Sequence, residues 1–173
     1  VKTEDVIASA KSEKTREKIK TELGINAARK NKEVVEFSDI LFLAVKPQYY
    51  EEVIQEIKDD IRENQMIVSI APGKTLAWLA ERLGENKKII RTMPNTPAMV
   101  KEGMMGMCRN DLVTEDEMQQ VKDICESFGK AEVVPESLID VVVGVSGSSP
   151  AYVFMFIEAM ADAAVADGMP RTQ

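Results

Sequence analysis

Four short apolar segments mark the first half of the chain, and amphipathic helical patterns lie between several of them. The segments are DVIASA, ILFLAV, MIVSIA and KIIRTM, at residues 5–10, 40–45, 66–71 and 88–93. After ILFLAV, apolar side chains recur at helical spacing from Tyr50 to Ile61, and charged side chains occupy the other face. Strands that alternate with helices predict an α/β domain with a mainly parallel sheet, and apolar strands without alternation predict burial on both faces.

The second half of the chain predicts a further amphipathic helix and then a very apolar one. Thr114 and Glu117 have capping-box spacing before an apolar periodic run, Gly129 is the predicted helix stop, and AEVVP is the predicted last strand. From Pro150 to Gly168 the pattern is apolar nearly all round, which is typical of a buried helix and often of one between subunits. We favour core packing over an intersubunit surface for this helix, because methionines fill irregular gaps in any core.

Composition removes several function classes. The 173 residues carry a net charge of -7 without a basic stripe, so we expect no nucleic-acid partner. The absence of histidine excludes His metal sites and His-assisted nucleophiles, and no other metal site is expected. Cys108 and Cys125 lack paired spacing, which indicates buried thiols in a reducing, cytoplasmic compartment. Because the N-terminus has no apolar signal core and the apolar helix carries three acidic residues, neither export nor a membrane span is expected.

Three predicted strands end in prolines. ILFLAV runs into Pro47, MIVSI into Pro72, and KIIRTM into the Pro94-Asn95-Thr96-Pro97 bend. The carboxyl ends of parallel strands share one edge, where ligands bind beside helix N-termini. The segment RTMPNTPAMVKEG, residues 91–103, is therefore predicted to form one stiff wall of a ligand crevice.

Two sequence features bear on nucleotide binding. After the first apolar segment, where an acidic residue would favour NAD, the chain has Ala10-Lys11-Ser12, which favours NADPH over NADH. The G-x-G-x-x-G fingerprint does not occur in the chain, so the residues alone give an incomplete nucleotide site.

The segment GVSGSSPAY, residues 144–152, superficially suggests a nucleophile elbow. It lacks the second glycine at Ser148 and the histidine partner, so a serine hydrolase is excluded. We predict instead a turn that caps the apolar helix, with Ser149 at the N-cap and Pro150 at the first helical position.

Three motifs in order, DILFLAVKP (39–47), RTMPNTPAMVKEG (91–103) and SGSSPAYVF (146–154), followed by ADAAVADGMPR, resemble the pyrroline-5-carboxylate reductase family. The resemblance spans essentially the whole chain. It implies reduction of L-1-pyrroline-5-carboxylate to L-proline by NAD(P)H in a homodimer or a ring of dimers. It also implies a Rossmann-like domain over residues 1–134 and the beginning of a helical dimerisation domain over residues 135–173.

The resemblance also implies the positions of the site residues. Asn95 and Thr96 would position the reacting groups, and Ser146, Gly147 and Ser148 would line the substrate approach. The cofactor-binding residues would be Ser9, Lys11, Ser12, Asn31, Ala44, Val45, Lys46, Pro47, Ile70, Ala71, Pro72, Met93, Pro94 and Asn95. Most family members have glycine where this chain has Ser149.

Family members also have a strand with a Gly-rich loop before the segment matching VIASA, and helices beyond the segment matching PRTQ. The resemblance therefore implies that this chain alone does not turn over substrate. Two alternatives stay open: another Rossmann-fold reductase acting on an imine, keto acid or hydroxy acid, and a non-catalytic dinucleotide-binding fragment. The hydroxy-acid enzymes usually use a lysine in the long helix, which the helix after Pro150 lacks.

Overall fold

The strands predicted from the four apolar segments and from AEVVP are present, and two further strands accompany them. The computed structural model of the protein describes residues 1–172. Its strands are β1 (Ile7–Ser9), β2 (Asn26–Ala28), β3 (Ile40–Leu43), β4 (Met66–Ser69), β5 (Lys88–Met93), β6 (Gly103–Arg109) and β7 (Gly129–Val133).

Helices connect most of these strands. They are α1 (Glu13–Lys18), α2 (Asn31–Phe37), α3 (Tyr50–Ile57), α4 (Leu76–Leu83), α5 (Glu115–Glu126), α6 (Ile139–Val142) and α7 (Ser149–Ala166). Single 3-10 turns occupy Thr3–Asp5, Pro47–Tyr49, Thr96–Val100 and Glu136–Leu138, and π-helical turns occupy Ile19–Leu23 and Val143–Gly147.

The central sheet has the order β3-β4-β5-β6-β7, and only the β5–β6 pairing within it is antiparallel. Strands β1 and β2 pair in parallel as a separate two-stranded sheet. The predicted mainly parallel α/β architecture is thereby confirmed. The apolar pattern did not predict β2, which is short, or β6, whose glycines and methionines are not typical strand residues.

Both faces of the central sheet are covered, as the apolar strands predicted. All four residues of β4 are buried. On one face Leu43 and Ile67 pack with Tyr50 and Ile54 of α3, while on the other Val68 and Met107 belong to the cluster that includes α5. The predicted amphipathic helix after ILFLAV is therefore α3, which buries Tyr50, Ile54 and Ile57.

The capping box of α5 is confirmed, but its predicted stop is wrong. The Thr114 side chain accepts from the Glu117 N–H, and the Glu117 carboxylate accepts from the Thr114 N–H. The helix ends at Glu126, and Gly129 is instead the first residue of β7. A Cβ at Gly129 would lie 2.2 Å from the Gly103 carbonyl oxygen, so glycine there permits two strands to approach closely.

The predicted capping turn before the apolar helix is wrong. The chain runs from α6 through the π-helical turn Val143–Gly147 directly into α7, whose N-cap is Ser148. Ser149 is already the first helical residue and Pro150 the second. Proline tolerates this position because the first turn of a helix needs no intrahelical N–H donor.

The preferred prediction that α7 packs in a core is also wrong within this chain. None of its residues is buried, and Phe154 is 69% exposed. The stretch Glu136–Ala166 is long and apolar enough to span a membrane by length and composition, with a mean hydropathy of 1.5 in its most apolar window. The same pattern is typical of a helix that another subunit covers.

Candidate active site at the carboxyl edge of the sheet

The three proline-bearing loops lie at one edge of the central sheet. Leu43 pairs with Ser69, and Ser69 pairs with Arg91, so the carboxyl ends of β3, β4 and β5 are in register. The loops that leave this edge carry most of the predicted cofactor residues: Ala44, Val45, Lys46, Pro47, Ile70, Ala71, Pro72, Met93, Pro94 and Asn95. Within this set Ala71 is buried, while Ala44, Lys46, Pro47 and Pro72 are exposed.

A buried chain of hydrogen-bonded hydroxyl groups contacts the backbone at the ends of β3 and β4, where two of these loops begin. The Tyr50 hydroxyl donates to the Leu43 carbonyl, and the Ser69 hydroxyl donates to the Tyr50 oxygen at 3.2 Å. The Ala71 N–H in turn donates to the Ser69 hydroxyl oxygen at 3.4 Å. Burial raises the pKa of the Tyr50 hydroxyl, so it remains a neutral donor. The backbone at the ends of β3 and β4 is thus fixed by side chains, which sequence reasoning did not detect.

Asn95 connects the bend after β5 to the C-terminal helical segment. Its Nδ2 group donates to the Ser146 carbonyl oxygen at 3.1 Å, and its Oδ1 atom accepts from the Met104 N–H at 2.8 Å. Asn95 has extended backbone and precedes the 3-10 turn Thr96–Val100, with a proline in its first positions. The structure therefore brings the predicted Asn95 and Ser146 together and shows Asn95 as a bridge.

The hydroxyl groups of the predicted substrate-approach segment face their own helix. Ser146 donates to the Val142 carbonyl at 3.1 Å and Ser148 to the Val143 carbonyl at 3.0 Å. A Cβ at Gly147 would lie 3.2 Å from the Met93 Cε atom, so this turn packs on the bend. Thr96 is exposed, and among residues 1–172 its side chain has no hydrogen-bond partner, which leaves its hydroxyl available to a ligand.

The remaining predicted cofactor residues lie at the carboxyl ends of β1 and β2. The Ser9 hydroxyl donates to the Asn31 Oδ1 atom at 2.7 Å, and the Asn31 amide donates to Glu56 of α3 at 2.8 Å. Lys11 forms an exposed ion pair of 2.9 Å with Glu52, also on α3, and this hydrogen bond raises the pKa of Lys11. These contacts place the predicted cofactor residues at the ends of β1 and β2 beside α3.

The Arg16 side chain fixes the backbone that follows β1, and the sequence analysis did not predict this contact. Its guanidinium donates to the carbonyls of Ala10 and Lys11, each at 2.8 Å, while the Ser12 side chain accepts from the Thr15 N–H as the N-cap of α1. Arg29 follows β2 at the same edge, next to the pairing of Ser9 with Ala28.

A cavity separates the edge of the two-stranded sheet from the edge of the central sheet. No backbone pairing joins β1 to β3 within residues 1–172, and a cavity of about 880 Å³ lies between them. Ile7 of β1 and Ile40, Leu41 and Phe42 of β3 line it, with α2 and α5 contributing Val34 and Ile124. Two parallel edges facing an apolar cavity, with helices on both faces, have the geometry that accepts a strand.

Comparisons with known proteins agree with this architecture. The family model described as NADP oxidoreductase coenzyme F420-dependent matches residues 2–73, and the model for pyrroline-5-carboxylate reductase dimerisation matches residues 136–173. The pyrroline-5-carboxylate reductase of Escherichia coli (strain K12) is 55% identical over 152 residues, covering 88% of this chain and 56% of that protein.

Solved structures give the same result. A pyrroline-5-carboxylate reductase from Coxiella burnetii superposes with a TM-score of 0.91 at 29% identity, covering 98% of this chain and 64% of that one. The Plasmodium falciparum pyrroline carboxylate reductase with NADP bound gives a TM-score of 0.88 at 33% identity, covering 99% of this chain and 62% of that one. The chain thus spans less than two thirds of the length of each of these relatives.

The fold and the family models together place the chain in the class of Rossmann-type nucleotide-binding folds that lead into a helical segment matching a dimerisation model. Within that class, the sequence identity and the close superposition are specific. The chain belongs to the pyrroline-5-carboxylate reductase family.

Proposed function

We propose that the protein containing this chain reduces L-1-pyrroline-5-carboxylate to L-proline with NAD(P)H. The observation that carries the proposal is the Asn95–Ser146 contact, because it joins the end of a cofactor-edge strand to the segment that begins the family's dimerisation domain. The 55% identity to the Escherichia coli pyrroline-5-carboxylate reductase supports the choice of substrate.

The residues present fit a phosphorylated dinucleotide. At the carboxyl end of β1 the Ala10-Lys11-Ser12 segment offers an ammonium and a hydroxyl group, and its backbone is fixed by Arg16. Arg29 and Lys30 add positive charge at the neighbouring strand end. A 2′-phosphate would find donors here and no acidic side chain among residues 9–12, which favours NADPH over NADH.

The reaction makes modest demands on side-chain chemistry. The nicotinamide, when bound, supplies a hydride to the imine carbon, and a proton is needed on the nitrogen. A protonated imine is already a good hydride acceptor, so the main task of the chain is orientation at about 3–3.5 Å and exclusion of water. We assign orientation to the bend Met93–Pro97, which Asn95 holds against Ser146, and contact with the reacting groups to the free Thr96 hydroxyl.

The proposal also includes an additional strand beside β1, a division into two domains and a second subunit that covers α7. A strand with a Gly-rich loop would fill the cavity between β1 and β3, and would add phosphate-binding backbone N–H groups beside Ser9. Residues 1–134 would then form the nucleotide-binding domain and residues 135–173 the start of the helical domain. A second subunit would cover α7 in a homodimer or a ring of dimers, in the cytoplasm and without a membrane or nucleic-acid partner.

The test is proline formation from pyrroline-5-carboxylate and NADPH by the complete gene product, compared with the 173-residue chain alone. We expect turnover from the complete protein and none from the chain. A complete protein that binds NADPH but forms no proline would support a non-catalytic dinucleotide-binding module. Turnover of keto or hydroxy acids instead would support another reductase.

A further inference from the structure

Arg91 is the one buried charged residue among residues 1–172, and it lies three positions before the edge bend. Arg91 belongs to the central strand β5, and its side chain is 3% exposed. The Nη1 group donates to Glu136 Oε1 at 3.1 Å and the Nη2 group to Asp140 Oδ1 at 3.3 Å. Both carboxylates belong to the segment that leads to α7, so the arginine connects the sheet to that segment.

Glu136 has a second attachment, to the helix that follows the Pro72 loop. The same Oε1 atom accepts from the Leu76 N–H at 2.7 Å, and Leu76 is the first residue of α4. A carboxylate at this position satisfies a free N–H group and lies at the positive end of the helix dipole. One carboxylate oxygen therefore bridges β5, α4 and the beginning of the C-terminal segment.

The residues after Glu136 pack tightly on the sheet. Ile139 is 1% exposed, and a Cβ at Gly106 of β6 would lie 2.9 Å from a Val142 methyl group, so α6 is in direct contact with the strand. The segment is then fastened again at Ser146 by Asn95. The turn Val143–Gly147 thus follows a contact at Glu136 and contains a second contact, at Ser146 with Asn95, and both contacts lie near the carboxyl end of β5.

The electrostatics of Arg91 favour a geometric role over a stabilising one. Its Nε group is buried and has no partner in the part of the chain described, and Asp140 is 87% exposed. Burying a charge with incomplete hydrogen bonding is costly, and a hydrophobic replacement is often as stable. An arginine fork, however, holds its two carboxylate partners in a fixed planar geometry, whereas a lysine ammonium on its flexible stem does not.

We propose that Arg91 and Glu136 are positioning residues that hold the turn Val143–Gly147 at the junction of cofactor and substrate. This inference rests on the proposed function. Neither side chain needs to touch the reacting atoms. Arg91 and Glu136 act through the packing of α6 and through the contact between Asn95 and the Ser146 carbonyl.

The test uses the complete protein and the variants Glu136→Ala and Glu136→Gln, with Glu117→Ala as the matched control. Glu117 pairs with Lys88 on the same strand β5, but at its amino end and on the α5 side. In Glu136→Ala we expect KM for pyrroline-5-carboxylate to rise about tenfold and kcat to fall, since small misplacements of a reacting group are costly. The NADPH dissociation constant should change by a smaller factor than KM, because Lys11 and Ser12 contact Glu52 and Thr15 and share no partner with Glu136.

The conservative variant Glu136→Gln distinguishes a positioning role of Glu136 from a role in stability alone. Glu136→Gln keeps an acceptor for Leu76 and Arg91, so its KM should return to within about threefold of the parent value. A lower melting temperature with an unchanged KM in Glu136→Ala would overturn the inference, as would the same KM change in Glu117→Ala. If Glu136→Ala does not fold, Arg91→Lys takes its place, and an unchanged KM would count against the inference.

The inference can also be tested if the proposed function is wrong. If the parent protein forms no proline, amide exchange of the turn Val143–Gly147 tests the inference independently of activity. Faster exchange in this turn in Glu136→Ala, but not in Glu117→Ala, would support positioning by the ion pair. Equal exchange in parent and Glu136→Ala would overturn it.

Discussion

Asn95 and Ser146 are joined by a hydrogen bond of 3.1 Å across 51 residues of sequence. The bond connects the bend after β5 to the turn between α6 and α7. A second bond, from the Met104 N–H, fixes the same Asn95 amide group. Asn95 therefore sets the distance between the two parts of the candidate site.

Replacing Asn95 tests that role directly. Asn95→Ala would leave the Ser146 carbonyl and the Met104 N–H without their partner, at a cost of about 1–3 kcal/mol in the free energy of unfolding. In the complete protein we expect a higher KM for pyrroline-5-carboxylate and a lower kcat, measured by initial rates. Unchanged values of both would show that the bend does not shape the site.

Coenzyme preference tests the proposal that Lys11 and Ser12, at the carboxyl end of β1, favour NADPH over NADH. We expect a lower KM for NADPH than for NADH, and Lys11→Ala should raise the NADPH value by about three- to tenfold with little change for NADH. Lys20→Ala, which removes a lysine from the π-helical turn Ile19–Leu23 that follows α1, is the control. Equal KM values for the two coenzymes in the parent would contradict the proposed preference.

The two cysteines should be inert in the folded protein. Burial, aided at Cys108 by the charge of Glu136, raises the pKa of each thiol from 9.0 to about 11. At pH 8 about one thiol in a thousand would be ionised, so a thiol reagent should modify neither cysteine until denaturant is added. Rapid labelling of the native chain would show that α5 or β6 opens readily.

The same shift predicts a loss of stability at alkaline pH. The folded thiols hold their protons above the pH at which the unfolded thiols lose theirs, so the unfolded state binds fewer protons between about pH 9 and 11. The free energy of unfolding should therefore fall through that window, and a Cys108→Ala, Cys125→Ala chain should show a smaller decline.

Two glycines offer a matched test of the contact between α6 and the sheet. A Cβ at Gly106 would lie 2.9 Å from Val142, whereas a Cβ at Gly144 would meet nothing within 4 Å. Gly106→Ala should lower the free energy of unfolding by about 1–3 kcal/mol, while Gly144→Ala should leave it unchanged or raise it slightly. Equal effects in thermal denaturation would show that α6 does not pack firmly on β6.

The sequence predicted the parts of the fold that depend on local pattern. KIIRTM is β5 from its first residue to its last, and the Thr114–Glu117 box caps α5. Both signals are complete within a few residues, so tertiary context does not alter them.

The errors arose where a distant part of the chain decides the outcome. Gly129 resembles a helix stop, but it is glycine because Gly103 approaches it. The serines before α7 suggested a cap, yet their hydroxyls bond to carbonyls of a continuous helical segment. The partners of Arg91 lie 45 and 49 residues away, so no local pattern could indicate them.

The separation of β1 and β2 from the central sheet has a consequence for cooperativity. This small unit is attached mainly through α2 and through polar contacts to α3, such as the Asn31–Glu56 hydrogen bond. Elements with few buried contacts open at a lower free energy than the core around them. In the isolated chain we expect β1 and β2 to exchange their amide protons as a separate subglobal unit, before the five-stranded sheet melts.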